Sequence, residues 1–317
     1  MNRMNTFDES HCRLIDMIES AFGLVIGSLM KDDSVIEIML NPDGRLWVER
    51  LGQGRIGTGH VIQRHDAERV IYLIASSVGA ECTSHNPLLS AELPGCGSRF
   101  QGVLPPIVDN PCFTIRKKAV MVFTLYDYVR EGMMSAQQRE FIVAAVNDRK
   151  NILIAGGTGS GKTTLANAVL AEIALQGDRL VIIEDTCELQ CKAEDSVFLR
   201  TSDGTADMRE LVRATMRLRP DRIIIGEVRG GEALELLKSW NTGHPGGLST
   251  IHASGAHQAL SRLEQLIQEV VVHVPRSLIA EAVDVIIFIE KYGQSRRIKS
   301  IARVRGMKGD DYDIESS

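Results

Sequence analysis

The stretch "GGTGSGKT", Gly156 to Thr163, restricts the fold of this chain more than any other. It satisfies G-x4-G-K-[ST] in full and lies between an apolar run, "NILIA", and a run of helix formers, "TLANAVLAEIALQG". Each residue type has a physical reason. Glycines let the backbone curl so that successive N–H groups face one side, which makes a concave anion site. The helix that follows adds its positive end. Lys162 offers a cation to terminal phosphates and Thr163 a hydroxyl to Mg²⁺. Gly156, Gly157, Thr158, Gly159, Ser160, Gly161, Lys162, Thr163 and Thr164 are therefore expected to hold a nucleoside triphosphate, with Thr163 on the metal.

A loop of this kind needs a parallel sheet to carry it. Strand-like runs recur at "RLVIIED" and "DRIIIGE", separated by helical stretches, and this alternation predicts a parallel sheet covered by helices. Both runs end in acid: Glu184 and Asp185 close the first, Glu227 the second. The Asp usual at the second strand end is replaced by Gly226. Two acidic strand ends beside the loop can supply a metal-side acid, with Asp185 acting indirectly, and a base that orients water. The spacing leaves open whether Glu227 or Glu184 is the base. No guanine-reading N-K-x-D motif is present, which argues against a switch GTPase, and no second substrate pocket announces a small-molecule kinase.

The first third mixes short elements. "HCRLIDMIESAFGLVIGSLM" has helical spacing, "SVIEIMLNPDGRLWVERLG" reads as strand–turn–strand, and "HDAERVIYLIASSVGA" reads as a second helix. Residues 1–118 are thus expected to form an α/β domain, 119–134 a linker and 135–317 the nucleotide-binding domain. Ser135 and Gln138 fit a capping box that opens the second domain's first helix.

Net charge is -5 and the sequence pI about 5.9, which disfavours a protein whose main task is gripping nucleic acid. The basic strip "RRIKSIARVRGMKG" reads as a solvated strand, so no direct sequence-specific nucleic-acid binding is expected. Six scattered cysteines lack zinc spacing and read as reduced thiols. The longest apolar runs, "AFGLVIGSLM" and "VIIFI", fall short of the roughly 18 residues of a membrane span. Any membrane contact is expected to be peripheral.

Four landmarks now stand in order: "GGTGSGKTT", "VIIEDTCELQ", "MRLRPDRIIIGEVRGGEA" and "NTGHPGGLSTIHA". Together they resemble the secretion ATPase superfamily, whose members power type II and type IV secretion and type IV pilus motors. The resemblance reads them as the P-loop, an acidic Asp box (Glu184, Asp185, Glu188), an atypical Walker B motif (Arg219, Pro220, Asp221, Gly226, Glu227, with Arg229 just beyond) and a His box. The N-terminal phrases "EIMLNPDGRLWVERLGQG" and "SRFQGVLPPIVDNPCFTIRKKA" are similar to the type IV secretion branch, and within it to conjugal transfer ATPases. Type II members commonly carry a tetracysteine zinc insert, and this chain has no cysteine after Cys191.

The resemblance implies an N-terminal PAS-like α/β domain joined to a C-terminal RecA-like P-loop ATPase domain. It implies a cytoplasmic homohexamer, peripheral to the inner membrane, that hydrolyses ATP with Mg²⁺. Its partners would be inner-membrane components of a type IV secretion or conjugation apparatus, for pilus biogenesis and DNA or protein transfer. A type IV pilus or type II secretion motor, or a RecA-like DNA translocase, are the alternatives. Arginines from the N-terminal side complete the site in the family, and by motif these are Arg99 and Arg116. A guanidinium is permanently charged and grips phosphate bidentately.

The two histidines of "TGHPGGLSTIHAS" could alone be metal ligands, but no cysteine or carboxylate cluster accompanies them in the sequence. As a His box, His252 is expected to touch the γ-phosphate or the catalytic acid, and His244 to hold its loop. Gly246 and Gly247 are expected to permit a tight turn, and "LSTIHA" to run as a strand beside the nucleotide.

Overall fold

The structure, a computed structural model, describes residues 4–118, 123–202, 204–293 and 295–316, with side chains from Arg13 onward. The chain divides into two units, Met1–Val120 and Met121–Ser317.

In the first unit, helix α1 (Met4–Lys31) is interrupted at Gly23, whose φ of 63° breaks the helical run. Six strands follow: β1 (Val35–Leu40), β2 (Arg45–Arg50), β3 (Gly54–Val61), β4 (Leu88–Glu92), β5 (Arg99–Val103) and β6 (Cys112–Arg116). Helix α2 (Arg64–Ser77) lies between β3 and β4 in sequence. The sheet order is β3-β2-β1-β6-β5-β4, antiparallel throughout. The turn "NPDG" closes the β1–β2 hairpin with Gly44 at φ 79°, a left-handed position that suits glycine. Alternate strand residues such as Ile38, Leu46, Val48, Phe100 and Ile115 are buried with Ile26 of α1 and Ile71 and Ile74 of α2. Only one sheet face carries this core, as the alternating sequence requires.

The second unit opens with α3 (Leu125–Arg130), capped by a reciprocal pair of bonds between Thr124 and Asp127. Of the expected linker 119–134, residues 119–122 lie outside the described residues, while the buried Leu125 and Tyr128 of α3 belong to this unit's core. Helix α4 (Ala136–Asn147) starts at the Ser135–Gln138 capping box read from the sequence. Then come β7 (Ile152–Gly156), α5 (Lys162–Ala174), β8 (Leu180–Glu184), β9 (Ser196–Arg200), α6 (Met208–Thr215), β10 (Arg222–Val228), α7 (Glu232–Asn241) and β11 (Leu248–His252). Helices α8 (Ala256–Gln268) and α9 (Arg276–Ala282) precede β12 (Val285–Tyr292), β13 (Ser295–Lys308) and β14 (Asp311–Ser316).

The sheet order is β14-β13-β12-β7-β11-β10-β8-β9. From β12 to β9 all neighbours are parallel; β13 and β14 add an antiparallel hairpin at one edge. β7, β8 and most of β10 are buried residue after residue. Continuous burial is what a parallel sheet between two helix layers demands. One core joins the sheet to α3, α4 and α5, the other to α6, α7, α8 and α9. The α/β expectation thus holds in both units. β7, β11, β10 and β8 are adjacent and parallel, so Gly156, His252, Glu227 and Glu184 all stand at carboxyl ends of strands, where α/β sheets bind ligands.

Candidate nucleotide and catalytic site

The loop after β7 curls as its glycines allow: Gly159 and Gly161 have φ of 69° and 95°. Gly161 is the N-cap of α5, and no side chain caps that helix, as suits a helix end that receives an anion. A Cβ on Gly156 would stand 2.4 Å from Ser160 Oγ and 2.6 Å from the Ile289 carbonyl, so the loop closes tightly only with glycine there. Lys162 is 7% exposed, and its ammonium donates to the Gly156 and Gly157 carbonyls at 3.1 Å each.

The acids gather beyond it. Thr163 Oγ1 donates to Glu188 Oε2 at 3.0 Å. Glu184 Oε1 accepts from the backbone N–H groups of Glu188 (3.0 Å) and Leu189 (2.7 Å). Glu184 is 3% exposed, and burial raises its pKa to about 7 despite those two bonds. Asp185, one residue on, is exposed. Arg229 donates through Nε to Glu227 Oε2 at 2.7 Å, again through Nη2, and through Nη1 to Asp185 Oδ2 at 3.0 Å.

His252 ends β11 opposite Gly156 in the register. Its Nε2 lies 2.9 Å from Glu227 Oε1, and both ring nitrogens lie 3.4 Å from Lys162 Nζ. Burial and the Lys162 charge lower the His252 pKa, against the pull of Glu227. His244 is elsewhere: its Nδ1 lies 3.0 Å from the Pro220 carbonyl, tying its loop to the segment that leads into β10. Of the Gly246–Gly247 pair, only Gly246 has a positive φ, 86°. Gly247 is required by packing instead, because a Cβ there would lie 2.0 Å from Trp240 Nε1. Asp221 accepts the Arg179 N–H at 2.8 Å, a structural tie.

Arg99 and Arg116 belong to the first unit. They are register partners on β5 and β6, with Glu92 and Glu37 as their partners on β4 and β1.

Two contributors were not legible as site residues. Arg296 of β13 donates from Nε to the Gly159 carbonyl at 3.3 Å, and its stem crosses Gly161, where a Cβ would meet Arg296 Cδ at 2.8 Å. The sequence signal was its place in the basic strip. Most of that strip is engaged within its own unit: Arg297 and Lys299 pair with Glu290 and Arg305 with Glu315 in the sheet, and Arg303 lies over the Phe141 ring of α4. Asn167 of α5, 2% exposed, bonds the Glu188 carbonyl and the Gln190 N–H and so fixes the Asp-box loop on the helix. A buried amide inside an apolar helix was its only sequence signal.

Ser160 Oγ and Glu184 Oε2 are buried with no hydrogen-bond partner among the described residues. Glu227 Oε1, likewise buried, faces the His252 ring without a formed hydrogen bond. Buried oxygens of this kind call for a further partner. The Thr163 hydroxyl, bonded to the Glu188 carboxylate, is an oxygen donor of the type that a hard cation such as Mg²⁺ takes. Among the described residues no three His, Cys, Asp or Glu side chains form a metal cage. Mg²⁺ sites of this sort draw their remaining ligands from phosphates and water.

Residues 91–303 match the family described as "Type II/IV secretion system protein". A conjugal transfer protein TrbB from Rhizobium radiobacter is 50% identical over 308 residues, covering 96% of this chain and 95% of that one. The type IV secretion system protein VirB11 of Bartonella quintana is 31% identical over 284 residues, 77% of this chain and 79% of that one. Among solved structures, the VirB11 ATPase of the Brucella suis type IV secretion system, in complex with sulphate, matches with TM-score 0.50 and 25% identity, covering 93% of this chain and 96% of that one.

Proposed function

The chain belongs to the type II/IV secretion system protein family, among the type IV secretion and conjugation ATPases, and on that premise we propose that it is a Mg²⁺-dependent ATPase motor of conjugation. It works as a homohexamer at the cytoplasmic face of the inner membrane. It energises pilus biogenesis and DNA or protein transfer through inner-membrane components of the apparatus. The observation that supports the catalytic reading is that His252, at the carboxyl end of β11, lies within hydrogen-bonding range of both Lys162 at the start of α5 and Glu227 near the end of β10.

The loop 156–163 and the N-terminus of α5 hold the triphosphate. Lys162 exchanges its two loop carbonyls for phosphate oxygens and stabilises charge that grows there. Bound Mg²⁺, held by Thr163 and through water by Asp185, would neutralise charge on the β- and γ-phosphate oxygens. Glu227 orients the attacking water. Glu184 is the poorer candidate for that task, since Oε1 is fixed by two backbone N–H groups and the side chain is almost wholly buried. His252, whose pKa is lowered by partial desolvation and the Lys162 charge, makes a polar contact between Glu227 and the phosphates. Arg99 and Arg116 bring positive charge to the phosphates from the N-terminal domain of the same or a neighbouring subunit. Their arrival couples hydrolysis to domain motion around residues 119–134. The pairing of Arg297, Lys299 and Arg305 of β13 with carboxylates of their own sheet favours this reading over a DNA translocase.

Two measurements test the proposal. A Glu227→Gln variant should bind ATP and lose most turnover; wild-type turnover rejects Glu227 as the water-orienting acid. Solution mass with and without a non-hydrolysable ATP analogue should report a hexamer; a strict monomer in both conditions rejects the ring.

A further inference from the structure

Asp185 and Glu227 stand side by side for a topological reason. β8 and β10 are parallel neighbours, paired as far as Ile183 opposite Ile225. Two residues further on in the chain come Asp185, just past the end of β8, and Glu227, still on β10. Neighbouring strands run about 4.8 Å apart, so two carboxylates at one level repel each other unless a cation separates them. Arg229 is that cation. Its Nε and Nη2 take Glu227 Oε2, and its Nη1 takes Asp185 Oδ2.

The guanidinium is launched from a stiff turn. The backbone N–H groups of Arg229 and Gly230 both donate to Glu232 Oε1, at 2.6 and 2.9 Å, in the first turn of α7. Gly231 packs so closely on Val270 that a Cβ would lie 2.3 Å from Val270 Cγ1. With its turn fixed and one oxygen of Glu227 in its grip, Arg229 determines where the other oxygen points. That other oxygen, Oε1, is the one 2.9 Å from His252 Nε2.

We propose that Arg229 is a positioning residue for hydrolysis: by tying Glu227 on β10 to Asp185 just beyond β8, it aims Glu227 Oε1 at the phosphate side of the site. Arg229 acts through Glu227 and takes no part in holding the nucleotide. This rests on Glu227 being the water-orienting acid. Arginine suits the task where lysine does not, because a planar fork satisfies two carboxylates at once while an ammonium is a point charge.

The test is a double-substitution series in the full chain: Arg229→Gln, Arg229→Lys, Glu227→Gln, and Arg229→Gln combined with Glu227→Gln. Steady-state ATP hydrolysis, equilibrium binding of a fluorescent ATP analogue and thermal unfolding are measured for each. Arg229→Gln should lower kcat by about 10- to 100-fold, as misplacing a catalytic group does, with analogue binding unchanged. Arg229→Lys should recover part of the loss. In the Glu227→Gln background, removing Arg229 should cause no further loss, since residues acting as one unit are not additive. Wild-type kcat in Arg229→Gln overturns the proposal. So does a parallel loss of binding, or an equal further loss in the Glu227→Gln background. The Arg229→Lys variant keeps the test sharp if Arg229→Gln lowers the melting temperature, because a folded lysine variant with full turnover also overturns it. Failure of the Glu227 reading shows up separately, in the single Glu227→Gln variant.

Discussion

The side chain of Glu184 lies across Gly226: a Cβ on residue 226 would stand 3.2 Å from Glu184 Cγ and 3.4 Å from Glu184 Oε1. The position at which many P-loop enzymes carry an Asp is thus covered by a carboxylate from the neighbouring strand. One acid replaces the other, and glycine makes the room. Gly226→Ala should be tolerated with a small shift of Glu184. Gly226→Asp puts a second carboxylate against a buried one, and should cost on the order of 1–3 kcal/mol in stability with a marked loss of turnover. Chemical denaturation of both variants checks this, and equal stability of Ala and Asp variants would refute it.

Glu184 also predicts a pH effect. Its carboxyl has a folded pKa of about 7 against an ordinary value of 4.5, so the folded chain binds the extra proton. Stability from this group is full below about pH 4.5 and declines as pH rises towards 7. The shift bounds the loss at roughly 3 kcal/mol. Glu184→Gln cannot titrate, so the stability difference between wild type and variant should change across that window. A difference that stays flat from about pH 5 to 7.5 would show that Glu184 does not titrate there.

His252→Ala should lower turnover by about tenfold, near 1.4 kcal/mol of barrier, while nucleotide binding changes little. The ring lies between Lys162 and Glu227, so its loss touches catalysis first. Equal losses of binding and turnover, measured by analogue titration and phosphate release, would contradict that placement.

Arg296→Ala should act the other way. Its guanidinium holds the Gly159 carbonyl and its stem covers Gly161, so it shapes the loop. Analogue affinity should fall roughly threefold to tenfold, as expected for one hydrogen bond, with kcat at saturating ATP nearly unchanged. An unaltered dissociation constant would remove Arg296 from the site.

Gly247→Ala should destabilise without altering any ligand contact. The new methyl collides with the Trp240 indole, which donates to the Ile223 carbonyl at 3.2 Å. Overpacking of this kind costs about 1–3 kcal/mol. The melting temperature and the Trp fluorescence should both shift, and wild-type values for both would show that the core can yield there.

The P-loop, the parallel sheet and the Ser135 cap were all legible because each depends on neighbours in sequence: a glycine run, apolar runs of strand length, a Ser and a Gln three apart. The acidic strand ends were legible for the same reason. What joins them was not. Arg229 reaches Asp185 from 44 residues away, and Arg296 reaches Gly159 from 137 residues away, through pairings that only the folded sheet creates. Gly247 shows a subtler limit. A glycine pair suggested a turn, yet one member serves backbone geometry and the other makes space for the Trp240 indole on the preceding helix α7. Composition records that glycine is present and does not distinguish the two reasons.

The position of β7 at the heart of its sheet bears on how the protein comes into being. Its two strand partners, β11 and β12, arrive roughly 95 and 130 residues later in synthesis, so the contacts that hold the phosphate loop are among the least local in the chain. A nascent polypeptide that has already exposed "GGTGSGKT" has no sheet in which to mount it. β7 gains both of its sheet neighbours only once the chain has been made as far as Phe288, the last β12 residue paired with it, and until then the apolar run "NILIA" lacks part of its cover.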